Sequence, residues 1–224
     1  MDKLPKISVI IPTLNEEDQI KLLLDTLGAN EDTEIFVVDG GSNDKTLNIV
    51  SEYTNVKILN SERGRAIQMN KGGFAAKAEY LLFLHADTIP PYDYIDQIIL
   101  SLSRKGVIAG SFYLKFDISN FLLNIYSWFS RFNISIFTYG DQGIFIRKSD
   151  FQAINGYANI SLMEDLEIQE RIRKRGDFVK LSSAVVTSAR KFEAEGYLWN
   201  QFKNMVLVGL YFLGVSPKKL AKFY

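Results

Sequence analysis

The chain alternates two kinds of hydrophobic pattern through its first half. Ile7–Ile11 is a β-branched apolar run closed by Pro12, and Ile20, Leu23, Leu24 and Leu27 follow at the i, i+3, i+4, i+7 spacing of a helix face. Glu34–Asp39 reads as a second strand stopped by Gly40 and Gly41, and Leu47–Tyr53 as a helix. Val56–Leu59, Ala66–Lys77 and Tyr80–Leu84 repeat the alternation, and Tyr94, Ile95, Ile98, Ile99 and Leu102 mark a further helix. Strands alternating with helices predict a mostly parallel sheet covered on both faces, with ligands at the carboxyl ends of its strands. Those ends carry Asn15 and Glu16, Asp39, Glu62–Arg65 and Asp87. Each acid there has a second reading as the N-cap of the helix that follows.

The second half is less regular. Val107–Phe116 alternates as a strand, Asn120–Phe137 is apolar and aromatic around Arg131, and Gly143–Ile146 is a short strand. Glu164–Arg175 predicts a helix, Phe178–Thr187 a strand and Ala194–Leu213 a last helix. No linker or repeat interrupts the pattern, so residues 1–224 read as one α/β domain with a nucleotide-binding half, 1–116, and a second half, 117–224.

Composition narrows the chemistry. The 224 residues hold no cysteine and one histidine, His85, which excludes thiolate chemistry and any site needing two imidazoles. With 26 basic and 26 acidic side chains the net charge is zero, which argues against nucleic acid as a partner. The balance is uneven: Arg171–Tyr224 has 11 Lys or Arg against 3 Asp or Glu. That surplus reads either as a solvated face or as a surface for phosphate or membrane. Met1–Lys6 lacks the pattern of a secretory signal, so a cytoplasmic location is expected. Ile118–Ser130 and Asn204–Pro217 are 13 and 14 residues without charge, too short to span a bilayer. Each reads first as a buried core helix and second as an interfacial surface on the inner face of the membrane.

Eight segments in order carry a resemblance: SVIIPTLNEE (Ser8–Glu17), VVDGGSNDKT (Val37–Thr46), ERGRAIQMNKG (Glu62–Gly72), LHADT (Leu84–Thr88), YGDQGIFIRKSDF (Tyr139–Phe151), MEDLEI (Met163–Ile168), SARKFEAEGY (Ser188–Tyr197) and LGVSPKKLAKFY (Leu213–Tyr224). The chain resembles family 2 glycosyltransferases of GT-A fold, and among them a small subfamily associated with radical SAM/selenodomain or arsenosugar biosynthesis clusters. The resemblance implies inverting transfer of a sugar from a nucleoside diphosphate donor to a hydroxyl acceptor, free or lipid-linked, with Mg²⁺ or Mn²⁺. It places Pro12, Thr13, Asn15, Glu16, Asp39, Gly64 and Arg65 around the donor and Asp87 on metal and diphosphate. It makes Arg190 and Lys191 a loop closing over the diphosphate, and Glu164 and Asp165 the acidic pair, with Asp165 as base. Asp141 and Gln142 fall on the acceptor side. The usual Asp-x-Asp is His85-Ala86-Asp87 here, so His85 either touches the metal or nucleotide or packs at the strand end.

Three other classes compete with this reading. A nucleotidyltransferase would carry a glycine-rich, lysine-containing loop where Pro12-Thr13-Leu14-Asn15 stands. A non-catalytic nucleotide-sugar-binding module would not need Asp165. A dinucleotide dehydrogenase is disfavoured because no G-x-G-x-x-G follows the first strand.

Overall fold

The structure is a computed structural model that describes residues 4–28 and 30–223. Met1–Lys3, where the segment read for a secretory signal begins, and Tyr224, the end of the last motif, lie outside the described residues. Among the described residues eight strands form one sheet: β1 (Ile7–Thr13), β2 (Thr33–Asp39), β3 (Val56–Asn60), β4 (Tyr80–Phe83), β5 (Thr88–Ile89), β6 (Val107–Phe116), β7 (Ile144–Arg147) and β8 (Asp177–Thr187). Their order is β3-β2-β1-β4-β7-β6-β8-β5. The pairs β1–β2, β1–β4, β2–β3 and β6–β8 are parallel, while β7 runs antiparallel between β4 and β6, and β5 antiparallel to β8.

The described residues also form ten α-helices, of which the last three follow β8: α1 (Ile20–Leu27), α2 (Thr46–Val50), α3 (Arg65–Ala75), α4 (Tyr94–Leu102), α5 (Phe121–Phe129), α6 (Lys148–Ala153), α7 (Glu164–Arg173), α8 (Arg190–Glu195), α9 (Tyr197–Phe212) and α10 (Pro217–Leu220). The period-2 pattern of the strands divides the core between the two sheet faces. Ile7, Val9 and Ile11 pack with Leu23 and Leu24 of α1 and Ile98 of α4. Ile10 and Val38 pack on the other face with Met69 of α3, Phe151 of α6 and Ile168 of α7. Each such fully buried side chain contributes about 1.5–3 kcal/mol.

The structure differs from the sequence reading in five places. β1 continues through Pro12 to Thr13, because its ladder with β4 ends at Ile10 and the proline sits beyond it. Asp87 lies in the turn between β4 and β5, not at a strand end, and β5 itself is only two residues long. Lys148–Ala153 forms the unpredicted helix α6. The last predicted helix is broken at Gly196, whose φ of 85° glycine adopts without strain. Arg190 and Lys191 therefore open α8 instead of lying in a loop. Finally, the uncharged stretches are only partly core: in Asn204–Pro217, Leu207 and Val208 are buried while Met205, Phe212 and Leu213 are exposed. Leu123 is the buried residue of α5, while Phe121, Ile125 and Trp128 are exposed, and so are Leu198, Phe202 and Met205 of α9.

Candidate active site

At the carboxyl ends of β1 and β2, two loops are bound to each other by hydrogen bonds. The backbone N–H of Asn15 donates to Ser42 Oγ at 2.9 Å, and Asn15 Oδ1 accepts from Asn43 N at 2.9 Å. Glu16 N donates to Thr46 Oγ1 at 2.8 Å. Asn15 takes a left-handed φ of 55°, tolerated by an amide that bonds locally. Asp39, buried at the end of β2, accepts from the N–H groups of Gly41 and Ser42 and from Ser42 Oγ. Thr13 is buried, and its hydroxyl donates back to Ile11 O. Gln68 of α3, which the sequence reading did not single out, donates from Nε2 to both Thr13 O and Val38 O and so fixes the two strand ends together. Gly64 caps α3, which places Arg65 in its first turn.

Beside these loops lies a cavity of about 190 Å³. One wall is Arg65, His85 and Asp87; a second is Gly140, Asp141, Glu164 and Asp165; a third is Lys191 and Phe192 of α8 with Asn200, Asn204 and Leu207 of α9. The structure thus brings Arg65, His85, Asp87, Asp141, Glu164, Asp165 and Lys191 together. Glu16 stands near the same site: burial raises its carboxyl above the usual range, Arg190 opposes this, and Asp87 adds to it. Its partner is Arg190 of α8, in an ion pair between residues 174 positions apart.

Asp165 has an asymmetric environment. Its Oδ2 accepts from Gly140 N at 3.0 Å, while Oδ1 is buried and has no hydrogen-bond partner in the protein. Gly140 is required by contact, since a Cβ there would fall 2.4 Å from Asp165 Oδ2. Burial, reinforced by Glu164 and Asp141 and opposed by Arg65, pushes the Asp165 carboxyl up to about 8. Glu164, also buried, faces Arg65 at 3.9 Å. Met163, just before this pair, has φ 66°, a left-handed conformation uncommon for such a side chain. Asp141 is held up to about 7, by burial and then by Asp87, and its Oδ1 is likewise unpartnered.

Gln142 faces away from the cavity. Its Nε2 donates to Phe137 O, and its Oε1 accepts from Lys180 Nζ. Lys180, on β8, also donates to Ser111 Oγ at 2.8 Å and Thr138 Oγ1 at 3.0 Å, and burial brings its ammonium down to about 7. Gln169 of α7 donates to Thr138 O and Asp165 O. The turn that carries Gly140 and Asp141 is thereby tied to β6, β8 and α7. The hydroxyl of Tyr157 is buried without a partner, its proton held on by burial and by the nearby Asp165 and Glu164. None of these four was singled out by the sequence: Gly140 lies within a motif, Lys180 in a predicted strand, Gln169 in a predicted helix and Tyr157 in none of these.

The donor set fits a divalent cation supplied together with a phosphate ligand. His85 Nε2 is buried without a partner, and burial followed by the charges of Arg65 and Lys191 brings its imidazole to about 3, so it is neutral and its nitrogen can coordinate. Among the described residues no three His, Cys, Asp or Glu side chains cluster as a complete metal site. Asp87 and His85 would need oxygens from a ligand to complete a shell.

A family model described as glycosyl transferase family 2 matches residues 8–160. The probable glycosyltransferase YdaM of Bacillus subtilis is 25% identical over 255 residues, covering 100% of this chain and 59% of its own length. A dolichyl N-acetyl-alpha-D-glucosaminyl phosphate 3-beta-D-2,3-diacetamido-2,3-dideoxy-beta-D-glucuronosyltransferase of Methanococcus voltae is 31% identical over 109 residues, 44% of this chain and 34% of that protein. The chain therefore spans well under two thirds of these curated relatives. Among solved structures, mannosyltransferase PcManGT from Pyrobaculum calidifontis, in complex with GDP-Man and Mn²⁺, superposes with a TM-score of 0.73 at 18% identity, over 99% of this chain and 68% of that one. S. aureus TarS 1–349 gives 0.68 at 21%, over 82% and 60%. These likenesses establish an α/β architecture of GT-A type with a mostly parallel sheet. With the family model covering more than half of its residues, the chain belongs to glycosyl transferase family 2.

Proposed function

We propose that this chain transfers a sugar from a nucleoside diphosphate donor to a hydroxyl acceptor with inversion at the anomeric carbon. The observation that carries the reading is Asp165: a buried carboxylate with one oxygen fixed by a backbone N–H, the other unpartnered, in the same cavity as Asp87, Arg65 and Lys191. A base works best with a pKa near the operating pH, and burial raises Asp165 into that range. Arg65 limits the rise and holds Glu164 at the far side of the pair. Asp165 takes the acceptor hydroxyl proton on Oδ1 as the acceptor oxygen bonds to the anomeric carbon from the face opposite the diphosphate, whose bond to that carbon breaks. Asp141, on the same wall, orients the acceptor, while residues 1–116 supply most of the donor's contacts and 117–224 the acceptor's.

The loops of Pro12–Glu16 and Asp39–Thr46 form the nucleoside end of the site, preset by their mutual hydrogen bonds. Arg65 and Lys191 face the diphosphate, and Arg190 steadies α8 against Glu16. Asp87, with neutral His85, would hold Mg²⁺ or Mn²⁺ against the donor's oxygens, where such an ion acts as a Lewis acid that stabilises the departing diphosphate. PcManGT, bound to GDP-Man and Mn²⁺, and TarS, solved with UDP and with UDP-GlcNAc, lend support from fold neighbours. The finer likeness to the radical SAM-associated, arsenosugar-type subfamily rests on the eight motifs and belongs to the same proposal, as does a cytoplasmic location.

The test is a thermal-shift panel of UDP, GDP, CDP and dTDP sugars with and without Mn²⁺. A ligand that binds only the folded state raises the melting temperature, by an amount set by its affinity. One donor class should stabilise the protein, more so with the cation, and should be turned over. Absence of any shift would overturn the reading, and binding without turnover would leave a nucleotide-sugar-binding module.

A further inference from the structure

α5 and α9 carry their apolar faces outward. On α9, Leu198, Phe202, Met205 and Phe212 recur at i, i+4, i+7 and i+14 and are exposed, whereas Asn200, Asn204, Leu207 and Val208 on the opposite side line the cavity. On α5, Phe121, Ile125 and Trp128 form the exposed stripe, and Tyr126 turns inward to the cavity. Phe192 of α8, with its ring 6.3 Å from that of Tyr126, joins the two helices at the cavity wall. Both tryptophans of the chain lie on this outer surface, Trp128 53% and Trp199 63% exposed. So large a set of adjacent exposed aromatic and aliphatic groups marks an interaction surface.

The charges say what covers it. Residues 120–137 and 196–223 contain Arg131, Lys203, Lys218, Lys219 and Lys222 and no acidic residue. Arg131, Lys218, Lys219 and Lys222 are exposed. In a symmetric dimer each such face would meet its own copy, cation against cation. Aromatic and aliphatic groups on segments whose charged residues are all cations instead match the headgroup region of an anionic bilayer. Among the described residues no helix is long and apolar enough to cross a membrane, so the fit is to its surface.

We propose that the outward faces of α5 and α9 dock on an anionic lipid bilayer, so that the cavity walled by the inner sides of the same helices lies next to its surface. The docking stands on the surface alone. Its consequence for catalysis rests on the transfer reaction proposed above: the acceptor would be a hydroxyl compound itself carried on the bilayer.

Tryptophan emission reads the docking directly, because both reporters are on the face. Vesicles of phosphatidylcholine with phosphatidylglycerol should shift the emission to the blue and carry the protein upward in flotation, and raised salt should weaken both effects. Phosphatidylcholine alone should bind far less. Ile125→Ser with Phe202→Ser, both exposed and outside the cavity lining, should cut vesicle binding at least about tenfold with the melting temperature nearly unchanged. Lys218→Glu with Lys219→Glu should cut it by roughly tenfold or more, on the anionic vesicles only. Absence of shift and flotation on anionic vesicles overturns the proposal, as does binding indifferent to these variants. A dimer in light scattering that Phe202→Ser dissolves overturns it in favour of a second copy. An acidic protein partner in place of lipid would leave the vesicle assays negative. Donor hydrolysis in vesicle-free buffer separates this proposal from the functional one: the surface variants should retain it, whereas Asp165→Asn should lose it without losing the vesicles.

Discussion

The two sides of the site are built on opposite principles. On the side of β1 and β2, the polar groups are engaged by their neighbours: Asp39 by Gly41 and Ser42, Asn15 by Ser42 and Asn43, Gln68 by Thr13 and Val38. On the side of α7 and the turn before β7, Asp141 Oδ1 and Asp165 Oδ1 are buried with nothing to bond, as is His85 Nε2 across the cavity. The first side is a preformed cradle whose cost of ordering is met in folding. The second stores unfavourable desolvation where a reactive group can use it, a pattern expected of chemistry more than of binding.

Asp165→Asn tests the contrast most severely. Turnover should fall by about 10² to 10⁴ with donor affinity nearly intact. Stability should move the other way. The carboxyl is raised from 3.8 to about 8, so in the folded state it retains a proton that the unfolded chain has released, and its stabilising contribution is lost as pH rises through that window. In cation-free buffer the variant should therefore melt above the parent at pH 9, with the difference shrinking toward pH 4. Equal melting temperatures across that range would mean that Asp165 carries no such burden.

Gly140→Ala strikes the same carboxylate through its support. The added methyl would collide with Asp165 Oδ2, so turnover should drop by about 10²-fold through displacement of the proposed base, while donor affinity in calorimetry should change little. A parallel loss of donor affinity would place the defect in the cradle instead. Lys180→Met should destabilise by about 1–3 kcal/mol in urea unfolding, because Ser111, Thr138 and Gln142 lose one buried partner together. Turnover measured well below the melting temperature should fall by a smaller factor than in Gly140→Ala. The mildest change is expected for Arg190→Ala. A partly exposed ion pair contributes about 0.2–1 kcal/mol, so the unliganded melting point should scarcely move while donor affinity weakens severalfold. A large fall in the unliganded melting point would show that α8 is held chiefly by this pair.

The cradle was largely legible in the sequence, because a β-branched run followed by Asn, Asp or Gly announces both the strand and the turn after it. Asp39 and the Asn15–Glu16 loop were found that way. The reactive side was legible only in its acids. Gly140 contributes a backbone N–H, which no side-chain pattern reveals. Asp141 and Gln142 are neighbours in a short turn, and only the fold shows that one faces the cavity and the other faces Lys180. Lys180 looked like one more cation on a strand, since its partner Ser111 lies 69 positions away. The stripes on α5 and α9 were visible as apolar stretches, but periodicity gives the width of a face and not what lies against it.

The Glu16–Arg190 pair, closing a span of 174 positions, bears on how the protein is made. During synthesis the cradle residues leave the ribosome first, and their local pairings can form early. The cavity cannot: its walls run from Arg65 to Val208, so the last wall arrives with the end of α9. A nascent chain stopped before α7 can hold neither Asp165 nor the helix that faces it. Such high contact order slows the closing step, and competence for transfer should appear as one late event instead of growing with chain length.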